Sequence, residues 1–187
     1  MLIQILIHQP QALGGILKNT PVWVWGLLAG LMVLGLSQVR SRNASRARVT
    51  LLPVTMTALS IWGTVSAFGA SPLFGTVMLV WLAMTAILLA GVASTAAPRG
   101  ATYDAASRTY RIPGSWIPLV LIVAIFLVKY VVGVDLAMQP ALARDSQYTL
   151  IIAALYGVFS GTFIGRAARL WRLAFRSTRT RGVAINI

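Results

Sequence analysis

Five long apolar stretches, separated by polar or turn-forming breaks, constrain this chain more than any other feature of its sequence. They cover residues 21–39, 49–68, 72–94, 115–138 and 148–165. A helix needs about 20 mostly apolar residues to cross the roughly 30 Å hydrocarbon core of a bilayer. Because five such stretches leave no room for a separate soluble domain, residues 1–187 are expected to form one integral membrane domain. The sequence predicts an all-α, polytopic bundle of five transmembrane helices.

The composition supports a lipid-soluble body. Hydrophobic residues make up 58% of the 187 residues and charged residues only 10%, whereas soluble domains carry about 25% charged residues. The net charge of +13 would suggest nucleic acid in a soluble protein. Here the cations flank apolar stretches, so we expect no nucleic-acid partner. The expected partners are the lipid bilayer and anionic phospholipid headgroups.

The distribution of Lys and Arg predicts the orientation. Four arginines lie in the first connection, three in the third and six in the C-terminal segment, whereas the opposite side has only Lys18 and Arg144. Cytoplasmic loops carry the excess of Lys and Arg. We therefore expect an outer N-terminus, a cytoplasmic C-terminus and a multi-pass location in the cell inner membrane. Residues 1–20 are expected to lie along the outer interface, without a cleavable signal peptide.

The basic segment 166–187 is expected to be a cytoplasmic tail that continues the fifth helix. Four arginines there fall within about 120° of one another on a helix, namely Arg166, Arg169, Arg172 and Arg176. They are candidate contacts for anionic lipid, although simple anchoring of the topology is an alternative explanation. In the third connection, residues 101–112 are typical of a small hairpin, either a docking element or a solvated connector.

Small residues recur every four positions in the fifth stretch, at Ala153, Gly157, Gly161 and Gly165. Gly26 and Gly30 form a shorter pair in the first stretch. Such spacing lets helix backbones approach closely in lipid. The fifth-stretch pattern favours a contact within the chain, while a homo-oligomer or another membrane subunit remains an alternative.

Lys129 is the one cation inside an apolar stretch. A charge near the bilayer centre costs about 2.5–3.5 kcal/mol on insertion scales, so it is often retained for a role. Counting inward from the outer ends places Tyr156, Ser60 and Thr64 at a similar depth. These four residues are a candidate polar cavity, although Lys129 could instead reach the interface or be satisfied internally.

The inventory of reactive side chains is sparse. The chain has no cysteine and one histidine, His8, which lies outside the apolar stretches. No side chain suited to activating Ser160 as a nucleophile is expected in the membrane, and phosphate-binding glycine loops are absent. The sequence therefore predicts no catalytic, cofactor or metal site, and a protein that is not an enzyme.

Short motifs spread over the chain resemble those of a known family. They are Tyr103-Asp104, Arg108, Pro113-Gly114-Ser115-Trp116, Lys129-Tyr130 and Tyr156-Gly157. The family consists of small, uncharacterised bacterial integral membrane proteins with a domain of unknown function. This resemblance implies a bacterial inner-membrane location and supplies no activity. The fourth stretch is also weakly similar to membrane proteins associated with cytochrome c biogenesis.

These observations favour a structural, assembly or accessory membrane subunit. The first alternative is a permease for a small solute or an ion, which a water-filled pocket or a broken helix would support. The second alternative is a lipid- or quinone-binding protein, which an apolar groove open to the bilayer would support.

Overall fold

The computed structural model describes the backbone of residues 12–105 and 107–184, and the side chains of residues 14–15, 18–105 and 107–175. The predicted interfacial segment 1–20 therefore lies largely outside the described residues, as does the side chain of Arg176.

Six α-helices make up most of the described chain. They are α1 (Ala12–Asn19), α2 (Val22–Leu36), α3 (Arg46–Phe68), α4 (Phe74–Ser94), α5 (Ile117–Met138) and α6 (Ser146–Ala184). The helices α3, α4, α5 and the Ser146–Phe175 part of α6 are long and apolar enough to cross a membrane. The predicted all-α fold, with helices long and apolar enough to cross a membrane, is confirmed.

The first predicted span, residues 21–39, needs a correction. Helix α2 has 15 residues and is therefore about 22 Å long, which is shorter than the hydrocarbon core. It ends at Leu36 because hydrogen bonds of the next residues hold the chain in a turn. The Ser37 hydroxyl donates to the Leu34 carbonyl at 2.6 Å, and the Ser115 amide donates to the Gln38 carbonyl at 3.0 Å.

A small antiparallel sheet covers one end of the bundle. Its strands are β1 (Arg42–Ser45), β2 (Thr102–Asp104) and β3 (Thr109–Ile112), in the spatial order β1-β3-β2. The predicted hairpin is thus present as β2 and β3, whereas the pairing of β1 with β3 was not foreseen. Tyr110 is 1% exposed and packs with apolar residues of α3 and α6. The hairpin is therefore docked on the bundle and is not a solvated connector.

Helices α4 and α6 pack most closely, along the predicted stripe of small residues. A methyl group added at Gly161 would lie 2.5 Å from the Thr85 carbonyl oxygen, and one at Gly157 would lie 2.5 Å from the Trp81 carbonyl oxygen. Ala153 is fully buried in the same core. At Gly165 the added carbon would lie 2.8 Å from Cβ of Val92. The stripe is therefore a contact within the chain.

Candidate functional site

A cavity of about 1140 Å³ lies among α2, α3, α5 and α6. Protein pockets for small molecules usually measure about 300–1,000 Å³, so this one can hold a large ligand. Of its 26 lining residues, 19 are apolar or glycine. The polar ones are Asn19, Thr20, Ser60, Lys129, Tyr130, Tyr156 and Ser160. The described lining contains no carboxylate.

Exposed side chains of α2 and α3 border the cavity. Helix α2 packs mainly on α5. Trp23 and Leu27 of α2 line the cavity and are 69% and 49% exposed, and Leu59 and Trp62 of α3 are 50% and 73% exposed. In a bilayer, these exposed side chains would face the lipid.

Lys129 of α5 projects its ammonium group toward α3. Nζ donates to the Leu59 carbonyl at 3.4 Å and lies 4.5 Å from the centroid of the Tyr156 ring. A methyl group at Gly63 would collide with Nζ, so glycine at this position makes room for the ammonium group. An ammonium group has three donors. Only one of them has a protein acceptor within the described part of the chain.

Three of the four residues predicted for the polar cavity come together. Lys129, Tyr156 and Ser60 all line it, and the Ser60 hydroxyl accepts a hydrogen bond from Nε1 of Trp81 at 3.1 Å. Thr64 is the exception and is a correction to the prediction. It is fully buried outside the cavity lining, and its hydroxyl donates to the Ser60 carbonyl one turn earlier, at 2.9 Å.

Two polar features of the cavity were missed. Ser160 is 2% exposed, and its hydroxyl has no hydrogen-bond partner among the described residues. It follows Tyr156 by four residues, so helical spacing could have placed it on the same face. The hydroxyl groups of Tyr130 and Thr20 lie 2.6 Å apart. That bond joins α5 to the turn before α2 and depends on tertiary structure, which local spacing does not reveal.

The family of the chain is shown by its sequence. Residues 1–181 match a family model described as a family of unknown function, DUF6622. The chain belongs to this family. The resemblance to an uncharacterised family is thus confirmed, whereas the weaker likeness to cytochrome c biogenesis proteins is unsupported. No curated protein and no solved structure matches the chain.

The predicted lipid-contact arginines and the predicted packing glycines of α2 lie in different parts of this DUF6622 member. Arg166 and Arg169 line a second cavity, of about 440 Å³, at the end of the bundle that carries the sheet. Arg172 instead donates to the Thr95 carbonyl at 3.1 Å. Gly26 and Gly30 meet no described atom within 4 Å of an added methyl group. They therefore do not pack within the described chain.

The larger cavity can offer both an apolar volume and hydrogen-bond donors. The ammonium group of Lys129 has unused donors, and the Ser160 hydroxyl lacks a partner in the described structure. Buried donors lower the free energy of the molecule when an acceptor meets them. The cavity of this DUF6622 member therefore suits a mainly apolar molecule that carries oxygen acceptors.

Proposed function

We propose that this protein binds a lipid-like amphiphile, a lipid or a quinone, inside the membrane. The carrying observation is the cavity of about 1140 Å³, which has a mainly apolar lining and contains Lys129 without a carboxylate partner in the described lining. The apolar part of the ligand would fill the volume between α2 and α3. Its oxygen-bearing end would accept hydrogen bonds from Nζ of Lys129 and from the Ser160 hydroxyl.

The character of the lining supports an amphiphile over a hydrated solute. Burial of apolar ligand surface is favourable by about 25 cal/mol per Å², whereas a hydrated ion would lose water against mostly apolar walls. Helix α5 also runs unbroken through Lys129, from Ile117 to Met138. The permease alternative would be supported by a break in α5 near Lys129, and α5 has none there. The role we propose is binding, without catalysis.

We also propose a bacterial inner membrane location, with the sheet end in the cytoplasm. The supporting observation is that β1 of the first connection, the hairpin of the third and the Ala167–Ala174 part of α6 pack into one cluster. The three basic regions of the sequence thus meet at one end of the bundle. Single cysteines at Arg108 and Arg144, labelled in oriented vesicles with an impermeant thiol reagent, test this orientation. Labelling of both from the same side would contradict it.

Photolabelling of the purified full chain tests the proposed ligand. The probes are a photoreactive fatty-acid analogue and a photoreactive quinone analogue, and the readout is the labelled peptide. We expect labelling by at least one probe to map to α2, α3 or α5 near Lys129. The relative labelling by the two probes distinguishes a lipid from a quinone.

Lys129→Met is the test variant, and Lys18→Met is its matched control. Lys18 is exposed and does not line the cavity. A hydrogen bond to a charged group contributes about 1.5–3 kcal/mol, so Lys129→Met should weaken labelling by about tenfold or more. Lys18→Met should leave it unchanged. Labelling that is spread over the lipid-facing surface, or that is indifferent to Lys129→Met, would contradict the proposal.

An accessory role is the second candidate, and the exposed face of α2 favours it. Gly26 and Gly30 are open to a partner in the described structure, and such pairs let helices associate in lipid. The chain has no native cysteine, so Gly30→Cys can be oxidised in membranes without background. A cross-linked dimer would support a second copy as the partner. Leu79→Cys, which is exposed on α4, is the control position and should give no dimer.

A further inference from the structure

Five arginines converge on the smaller cavity, although the sequence scatters them over three regions. The cavity measures about 440 Å³. Its arginines come from β1, α3, the connection after α4, and α6, and they are Arg42, Arg48, Arg99, Arg166 and Arg169. No Asp or Glu occurs among the described residues of its lining. These side chains form a strongly positive pocket. Among the described lining residues, Phe163 alone is shared with the larger cavity.

The charges in this pocket repel one another. Burial lowers the pKa of Arg42 below its ordinary value, and the positive charge of Arg48 lowers it further. Like charges in a partly buried site cost free energy unless a counter-charge offsets them. The whole sequence has only three acidic residues, and none of them lines this pocket. An anion from outside the chain would supply the missing charge.

Two buried donors in the same pocket also lack acceptors. Gln38 is 8% exposed, and its Oε1 accepts a hydrogen bond from Nη2 of Arg42 at 3.1 Å. A guanidinium group can only donate, so this bond fixes the amide orientation and leaves Nε2 of Gln38 as a donor. That Nε2 has no partner among the described residues, and neither does Nε of Arg169. Unsatisfied buried donors are uncommon in native structures.

Nη1 of Arg169 is held in place. Its Nη1 donates to Oγ1 of Thr95 at 3.0 Å and to the Ala96 carbonyl at 3.3 Å. These bonds anchor the guanidinium group to the end of α4, so the group is positioned before any ligand arrives. A preorganised donor loses little conformational entropy on binding.

We infer that this pocket binds a phosphate group. Guanidinium groups match phosphate oxygens in geometry and charge, and the amide of Gln38 adds a neutral donor. Leu52, Pro53 and Ile117 give the pocket apolar walls beside the arginines. A phosphate group could come from an anionic phospholipid or from inorganic phosphate in solution. The inference uses other donors than the amphiphile cavity and does not rest on the function proposed for that cavity.

Thermal unfolding of the delipidated full chain in neutral detergent tests the site. The probes are phosphatidic acid and sodium phosphate, and sodium chloride at matched ionic strength is the reference. Ligand that binds only the folded protein raises its melting temperature. Stabilisation by both probes would indicate a site for any phosphate group, and stabilisation by phosphatidic acid alone would indicate the lipid as the source. Equal shifts with sodium chloride would overturn the inference, because simple screening would explain them.

Arg166→Gln and Gln38→Leu are the test variants, and Arg111→Gln is the matched control. Arg111 is exposed on β3 and does not line the pocket. We expect each test variant to weaken phosphatidic acid binding by about tenfold or more, and the control to change it less than about threefold.

Arg99 lies in an exposed connection. Arg99→Gln is therefore the test variant to use if the substitution of a buried residue prevents folding. Weakening by Arg99→Gln but not by Arg111→Gln supports the pocket. Equal weakening by Arg111→Gln and the pocket variants would show that overall charge attracts the probe, and would overturn the inference.

Discussion

Gly161→Ala tests the close packing of α4 and α6. The added Cβ would lie 2.5 Å from the Thr85 carbonyl oxygen, 2.8 Å from Cβ of Leu88 and 3.1 Å from the Leu89 amide nitrogen. Two of these neighbours are backbone atoms of α4, so no side-chain rotation relieves the contact. An ordinary van der Waals contact is about 3.5 Å or longer, so the helices would have to separate by most of an ångström.

The expected cost follows from that separation. Overpacking of a well-packed interior costs about 1–3 kcal/mol, and Gly157 and Gly165 would lose contacts along the same stripe. Alanine is otherwise the better helix former by about 0.5–1 kcal/mol. We therefore expect Gly161→Ala to lower the free energy of unfolding by about 1–2 kcal/mol.

The control is the same substitution at Gly91. This glycine is an exposed position of α4, where an added methyl group meets no described atom within 4 Å. Gly91→Ala should leave stability unchanged or raise it. The free energy of unfolding is measured by titrating the protein in neutral micelles with sodium dodecyl sulfate and following its circular dichroism. If Gly161→Ala is as stable as Gly91→Ala, the account of the stripe is wrong.

Three further predictions concern single contacts. Gly63→Ala should displace Nζ of Lys129, because the added methyl group occupies its place. Photolabelling of the cavity by the probe should therefore fall. The free energy of unfolding should change by less than about 1 kcal/mol, because the flexible lysine side chain can move. Ser60→Ala should leave Nε1 of Trp81 without its acceptor and cost about 1–3 kcal/mol of stability, measured by the same titration. Burial is the main cause that raises the pKa of Tyr110, so the unfolded chain ionises first as pH rises past about 10. The contribution of Tyr110 to the free energy of unfolding is therefore complete below that pH and is lost as the pH rises further, through the raised pKa of the folded protein. Tyr110→Phe should flatten this fall in the free energy of unfolding.

The sequence predicts those features that local spacing encodes. Apolar length predicts the long helices, and the four-residue spacing of Gly157 and Gly161 predicts a helix contact. The partner of that contact depends on tertiary structure. Strand β1 was missed because Arg42–Ser45 has no alternating apolar pattern, and its partner β3 lies more than sixty residues further on. A short α2 was missed because a bond between Gln38 and Ser115, and not composition, defines the turn after it.

For the candidate sites too, the sequence predicts what local spacing encodes and misses what depends on tertiary structure. The depth of Lys129, Tyr156 and Ser60 could be counted from helix ends, so their convergence was predictable. Thr64 shares a face of α3 with Ser60, but it lies one turn further along the helix, where it is fully buried outside the cavity lining, and that packing depends on tertiary structure. For the phosphate site, the arginines were visible only as a count of charge per loop. Their convergence with Gln38 depends on the sheet that brings the loops together.

The pairing of α4 with α6 joins two helices that are far apart in the order of synthesis. Residues 74–94 are synthesised before residues 146–175, so α4 enters the bilayer before its main partner exists. During that interval Thr85 has no Gly157 carbonyl to approach, a contact of 3.3 Å in the finished fold. Its hydroxyl also donates to the Trp81 carbonyl of its own helix at 2.7 Å. This bond gives the hydroxyl an acceptor within its own helix before α6 docks, so the absence of the Gly157 carbonyl leaves no unsatisfied donor at Thr85 in lipid.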